Sequence, residues 1–210
     1  MEIEYHGANC FVINTKKARL VFDDNLSEVG LKTVTKNDDI VFFGASHKEP
    51  SSKPLLIIDQ PGEYEVSNVS VNGIAARSAT DGADKTSATM YKLIIDDVRV
   101  AVVGHIYPEL NDSQLEALGT VDVLIIPVSG NGYTLDPVGA QKVVKKIAPK
   151  LVIPSHYAGS AVKYEVPQQT LEEALKGLAL EPRDRVAKLK LKANELLNED
   201  TQLIVLERQS

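Results

Sequence analysis

Apolar residues in this chain fall into short unbroken blocks and short alternating runs, with Gly, Pro, Asn and Asp punctuating the joins. The central stretch, residues 121–157, shows the pattern most plainly. Val123, Leu124, Ile125 and Ile126 form an unbroken block ended by Pro127, which predicts a strand covered on both faces, as parallel strands are. Ala140, Val143, Val144 and Ile147 then recur at helical spacing. Asp136 is placed to accept the first free amides, Pro137 suits the first helical position, and Pro149 stops the run. A second strand, Leu151 to Ile153, completes a β-α-β unit. Its expected right-handed crossover brings the carboxyl ends of both strands to one rim, where His156 lies.

The flanks predict mostly strands. Ile3 to Tyr5, Phe11 to Ile13 and Arg19 to Phe22 read as a meander with Asn14-Thr15-Lys16-Lys17 as a turn. Residues 26–38 are polar and irregular. Ile40 to Phe43 and Leu55 to Ile58 are two more apolar blocks, whereas Val69, Val71 and Ile74 alternate as a half-buried strand does. Residues 78–88 read as the least structured stretch. Tyr91 to Ile95, the Asp96-Asp97 turn and Val98 to Val103 form a hairpin ending at Gly104-His105. Asn111 or Asp112 caps a short helix stopped by Gly119, and Leu171, Ala174, Leu175 and Leu178 mark another, opened by Pro167 and Thr170. Val186 to Leu191 and Leu203 to Leu206 predict two closing strands. Two batches of strands with helices between and after them point to a layered α/β or α+β sandwich.

Composition narrows the picture. With 210 residues, 43% of them hydrophobic, the chain has enough apolar side chains for a sizeable core, and a single domain over 1–210 is expected. No run approaches a membrane span, and MEIEYHGANC is acidic where a signal peptide needs basic residues, so a cytoplasmic protein is expected. Cys10 is the only cysteine, which excludes an intrachain disulfide and a thiolate zinc cluster. Any metal has to be held by His and carboxylate. A net charge of −6 argues against general nucleic-acid binding, and Lys142, Lys145, Lys146 and Lys150 read as the solvated side of the crossover helix.

The chemistry lies in the histidines. Three of the four, His47, His105 and His156, each follow an apolar run and a small-residue or Pro break, where sheet proteins gather functional groups. Their convergence would make a transition-metal site suited to one zinc or another divalent ion, with Glu49 completing the coordination or orienting a ring. Taken singly, each reads first as a hydrogen-bonded loop residue.

Nearly the whole chain resembles the metallo-β-lactamase family. YHGANCFVI, DDIVFFGASHKEP, IDQPGEYEVSNVSVNGI, VAVVGHIYPELNDSQLEALGTVDVLIIPVSG and KLVIPSHY are similar, in this order, to segments of its small bacterial branch related to L-ascorbate-6-phosphate lactonase. The resemblance implies a four-layer αββα sandwich with its site at one edge of the facing sheets, a small-molecule ligand or substrate, and a homo-oligomer.

The metal ligands match far less well. Against the family's H-x-H-x-D-H segment stand Ala45, His47, Glu49 and Pro50. The opening His falls on Ala8, a further His near Ser78, and the bridging Asp on His105. The resemblance therefore implies a member that has lost most of its two-zinc ligands and keeps a binding or regulatory role. The alternative is a hydrolase of a small ester, lactone or phosphate-bearing substrate, using one metal on His47, His105 and His156 with Glu49, Asp24 or Glu63 as general base. RNA processing, as in the J-type ribonucleases that share the fold, sits poorly with the acidic charge. Around these, Asp23 and Asp24 read as supports for ligand loops or as turn caps, His6 as a residue within reach of the space at Ala8, and Cys10 as buried packing. Ser129-Gly130-Asn131-Gly132 reads as a flexible loop beside the rim.

Overall fold

The computed structural model describes residues 1–196 and 200–209. The N-terminal meander forms as expected: β1 (Glu2–Gly7), β2 (Cys10–Asn14) and β3 (Arg19–Phe22) pair antiparallel, with Tyr5 opposite Phe11 and Val12 opposite Val21. Thr15 closes the first hairpin, its hydroxyl donating to the Ala18 carbonyl at 3.0 Å and accepting from the Ala18 amide at 2.9 Å. The apolar blocks become β4 (Ile40–Phe42) and β5 (Leu56–Ile58), which extend the same sheet in parallel.

The second sheet begins with β6 (Gly62–Val66), β7 (Val69–Ala76), β8 (Ala88–Ile95) and β9 (Val98–Val102), all antiparallel. β6 is a strand the periodicity did not announce, because it lies at a sheet edge with Glu63 and Glu65 exposed. Helix α1 (Asp112–Leu118) is capped by Asn111, not Asp112, which accepts from the Gln114 amide at 2.9 Å. The β-α-β unit then appears as β10 (Val123–Pro127), α2 (Pro137–Ile147) and β11 (Leu151–Ser155), the strands parallel and Asp136 accepting from the Gly139 amide at 2.6 Å. Thr170 and Glu173 form a reciprocal cap on α3 (Leu171–Leu178). The stretch predicted as one strand over Val186 to Leu191 is instead split. β12 (Pro182–Val186) joins β14 (Gln202–Leu206) in the larger sheet, and β13 (Leu189–Lys190) pairs with β1 in the smaller. Alternation marks an apolar face but not the sheet that face meets.

The sheet orders are β13-β1-β2-β3-β4-β5 and β12-β14-β11-β10-β9-β8-β7-β6. Packing explains the unbroken apolar blocks. On β10, Ile125 enters the core between the sheets with Phe42 and Tyr91, while Leu124 and Ile126 lie beneath the helices with Val143 and Ala174. β4 behaves likewise, with Phe42 inside and Val41 in an outer cluster with Leu26. The result is the expected mixed α/β sandwich, with α1 to α3 outside the larger sheet and the one-turn 3-10 helix Leu26–Val29 outside the smaller. That short helix falls in the stretch expected to be irregular. The loop over 78–88, also expected to lack order, is gathered by Asp81, whose carboxylate accepts from the Ser78 and Ser87 amides, both at 2.9 Å. No helix among the described residues is long and apolar enough to cross a membrane.

Candidate functional site

Strand ends from both sheets meet at one rim. His156 directly follows β11, and its amide donates to the Ala8 carbonyl at the β1–β2 turn over 2.8 Å. Its carbonyl accepts from Ser129 Oγ, at the start of the loop after β10. Held from both sides, His156 takes a left-handed conformation, φ +54°. That conformation is costly for a side chain with a Cβ and is kept where surrounding contacts over-determine it. His156→Gly is accordingly expected to be more stable than His156→Ala by about 1 kcal/mol in urea unfolding, since both remove the ring and only Ala keeps the strain.

His105 follows β9 across Gly104, and its ring lies 4.8 Å from that of His156, nearly perpendicular at 83°. Two tyrosines frame the pair. Tyr133 approaches His105 edge-on at 4.9 Å, and Tyr164 lies 4.7 Å from His156. These rings line a cavity of about 350 Å³ whose walls include the short side chains Ala8 and Ala45. The two tyrosine-bearing loops are tied together where the Gln168 side-chain amide lies 2.6 Å from Ser129 Oγ and Asn131 donates to the Pro167 carbonyl.

Burial dominates the electrostatics. It pulls the His105 pKa down to about 4 against a hydrogen bond with the Tyr133 backbone. Burial, with neighbouring His105, pulls His156 down to about 3, opposed by bonds that include one to the Gln168 side chain. Both rings are neutral at pH 7, and each has a buried Nδ1 without a partner among the described residues.

The other candidates lie elsewhere. His47 turns away from the cavity, stacked on Phe43 at 3.8 Å with Nε2 3.2 Å from Asp59 Oδ2. Glu49 does not line the cavity but an adjoining hollow, together with Asp24. Asp24 Oδ2 is occupied by the Val34 and Thr35 amides at 2.8 and 2.7 Å, so it pins a loop. Glu63 sits exposed on edge strand β6. His6 stands 3.5 Å from Glu4 Oε2. Asp23 Oδ1 accepts from the Gly44 amide at 2.7 Å and so ties β3 to the loop after β4; burial raises its pKa to about 6. Of the four proposed metal ligands, only His105 and His156 come together.

A zinc ion needs three or four protein ligands. Among the described residues no group of three or more His, Cys, Asp or Glu side chains is arranged to hold a metal ion. The donor set at the rim therefore does not fit the metal centre that the resemblance implies. Tyr133 and Tyr164 escaped the sequence reading. Their one signal is that each is an isolated aromatic in a polar loop next to a rim strand.

A family model described as the Beta-lactamase superfamily domain matches residues 2–156. No curated protein matches the chain. Several solved structures do. A candidate zinc-dependent hydrolase of the metallo-β-lactamase superfamily from Thermotoga maritima superposes with a TM-score of 0.78, at 22% identity over 98% of each chain. A candidate metal-dependent hydrolase from Parabacteroides distasonis gives 0.63 at 16% identity, covering 99% of this chain and 93% of that one. The isothiocyanate hydrolase from Delia radicum gut bacteria gives 0.62 at 10%, covering 97% and 96%. At these identities the likeness is one of fold.

Proposed function

This chain belongs to the metallo-β-lactamase superfamily, and from that premise we propose that it keeps the sandwich, has lost most of the two-zinc ligands, and binds a small molecule at the rim in a binding or regulatory role. The observation that carries this reading is the isolation of His105 and His156, a facing pair with no third metal-binding side chain grouped with it among the described residues. A two-zinc hydrolase needs about three ligands per ion and a negative bridging group to hold the dications together. Here a neutral imidazole, His105, falls where the motif resemblance puts the bridging Asp. The segments PGEYEV, DVLIIPV and VIPSHY favour kinship with the branch related to L-ascorbate-6-phosphate lactonase.

The acid-base character of the pair supports binding over proton transfer. A general base works best with a pKa near the working pH, and burial holds these two at about 4 and 3. Neutral imidazoles of this kind are fixed hydrogen-bond partners for a ligand. A single-metal hydrolase would require His47 to leave Phe43 and Asp59 and enter the cavity.

Metal analysis of protein purified without chelator tests the proposal. Well under one zinc per chain is expected, with no change in His105→Ala. One or two ions per chain, lost in His105→Ala, would overturn it.

A further inference from the structure

The cavity also carries a preference of charge. Glu28 and Glu165 both line it, and Lys48 is the one cationic side chain among its described lining residues. Lys48 is paired with Glu28 at 3.4 Å and is 79% exposed, which leaves Glu165 without an ion-pair partner among the described residues. Both carboxylates act on Tyr133, whose hydroxyl pKa is raised by burial first and then by Glu28 and Glu165. The imidazoles point the same way. His105 and His156 are uncharged rings whose Nδ1 atoms have no partner among the described residues, so neither offers a positive charge, and His156 is only 2% exposed.

Two uncharged imidazoles, two tyrosine rings and an unpaired carboxylate describe a site that lacks a positive charge. We propose that the cavity binds a small organic ammonium ion, a primary amine on an apolar or aromatic body. Its N–H groups would meet the Glu165 carboxylate, beside the uncharged rings of His105 and His156. The rings of Tyr133 and Tyr164 would supply cation–π attraction, and Ala8, Ala45 and Val166 leave room for the body. This rests on the metal-free small-molecule reading above.

Calorimetry on the full chain with benzylammonium, benzyl alcohol, benzoate and inorganic phosphate tests it, beside a zinc titration. Benzylammonium is expected to bind at least about tenfold tighter than benzyl alcohol and to weaken about tenfold in Glu165→Gln. Tyr133→Leu should weaken it as well. Because Glu165 is exposed, Glu165→Gln is not expected to disturb folding, and its thermal midpoint checks this. Benzoate or phosphate binding as tightly as benzylammonium, or no binding by benzylammonium, would overturn the charge assignment while leaving a small-molecule site standing. Stoichiometric zinc uptake lost in His105→Ala would instead overturn the metal-free reading itself.

Discussion

Moving from pH 7 to pH 5 is expected to cost this protein roughly 3 kcal/mol of unfolding free energy. Burial holds His105 and His156 neutral, with folded pKa values of about 4 and 3 against 6.5 in the unfolded chain. Between those limits the unfolded chain binds more protons, so stability is fully present above 6.5 and falls as pH falls through it. At pH 5 each ring accounts for about 2 kcal/mol of loss. Asp23 opposes them. Its folded pKa of about 6 lies above the unfolded 3.8, so its proton binds the folded state better and stability rises on acidification. That returns about 1 kcal/mol over the same interval. The imidazoles win, and His105→Gln should shrink the loss by about 2 kcal/mol. Urea unfolding at the two pH values measures this. A stability that held steady or rose at pH 5 would mean that these rings are solvated or already charged.

Phe42→Ala is expected to cost about 3–5 kcal/mol in the same assay at neutral pH. Phe42 is fully buried between the sheets, stacked on Phe22 at 4.6 Å and edge-on to Tyr91 at 5.3 Å. Truncation would remove both aromatic pairings and leave a cavity in a close-packed layer. It would also loosen the cavity wall, because the end of β4 leads through Gly44, whose amide is held by Asp23, to Ala45, which lines the cavity. Leu55→Ala, at a side chain 64% exposed beside β5, should change stability by less than about 0.5 kcal/mol. Equal effects from the two substitutions would contradict the packing described.

Much of the framework was legible because its causes are local. Asp136 capping α2, the apolar blocks of β10 and β11, and the β8–β9 hairpin are written in spacings of a few residues. The rim itself was legible through His105 and His156, since each ends a strand that had already been read. Illegible were the direction of His47, the tyrosine frame, and the division of residues 182–190 between two sheets. Each depends on groups far apart in sequence: His47 on Asp59, Tyr133 on His105, β13 on β1.

The order of most helices and strands and the metallo-β-lactamase likeness are thus properties of the sequence alone. Tertiary structure alone decided that His105 and His156 meet while His47 and Glu49 do not. Periodicity determines which face of a strand is buried, but beyond the strand's end no period remains, and a loop side chain goes where packing and hydrogen bonds with distant residues hold it.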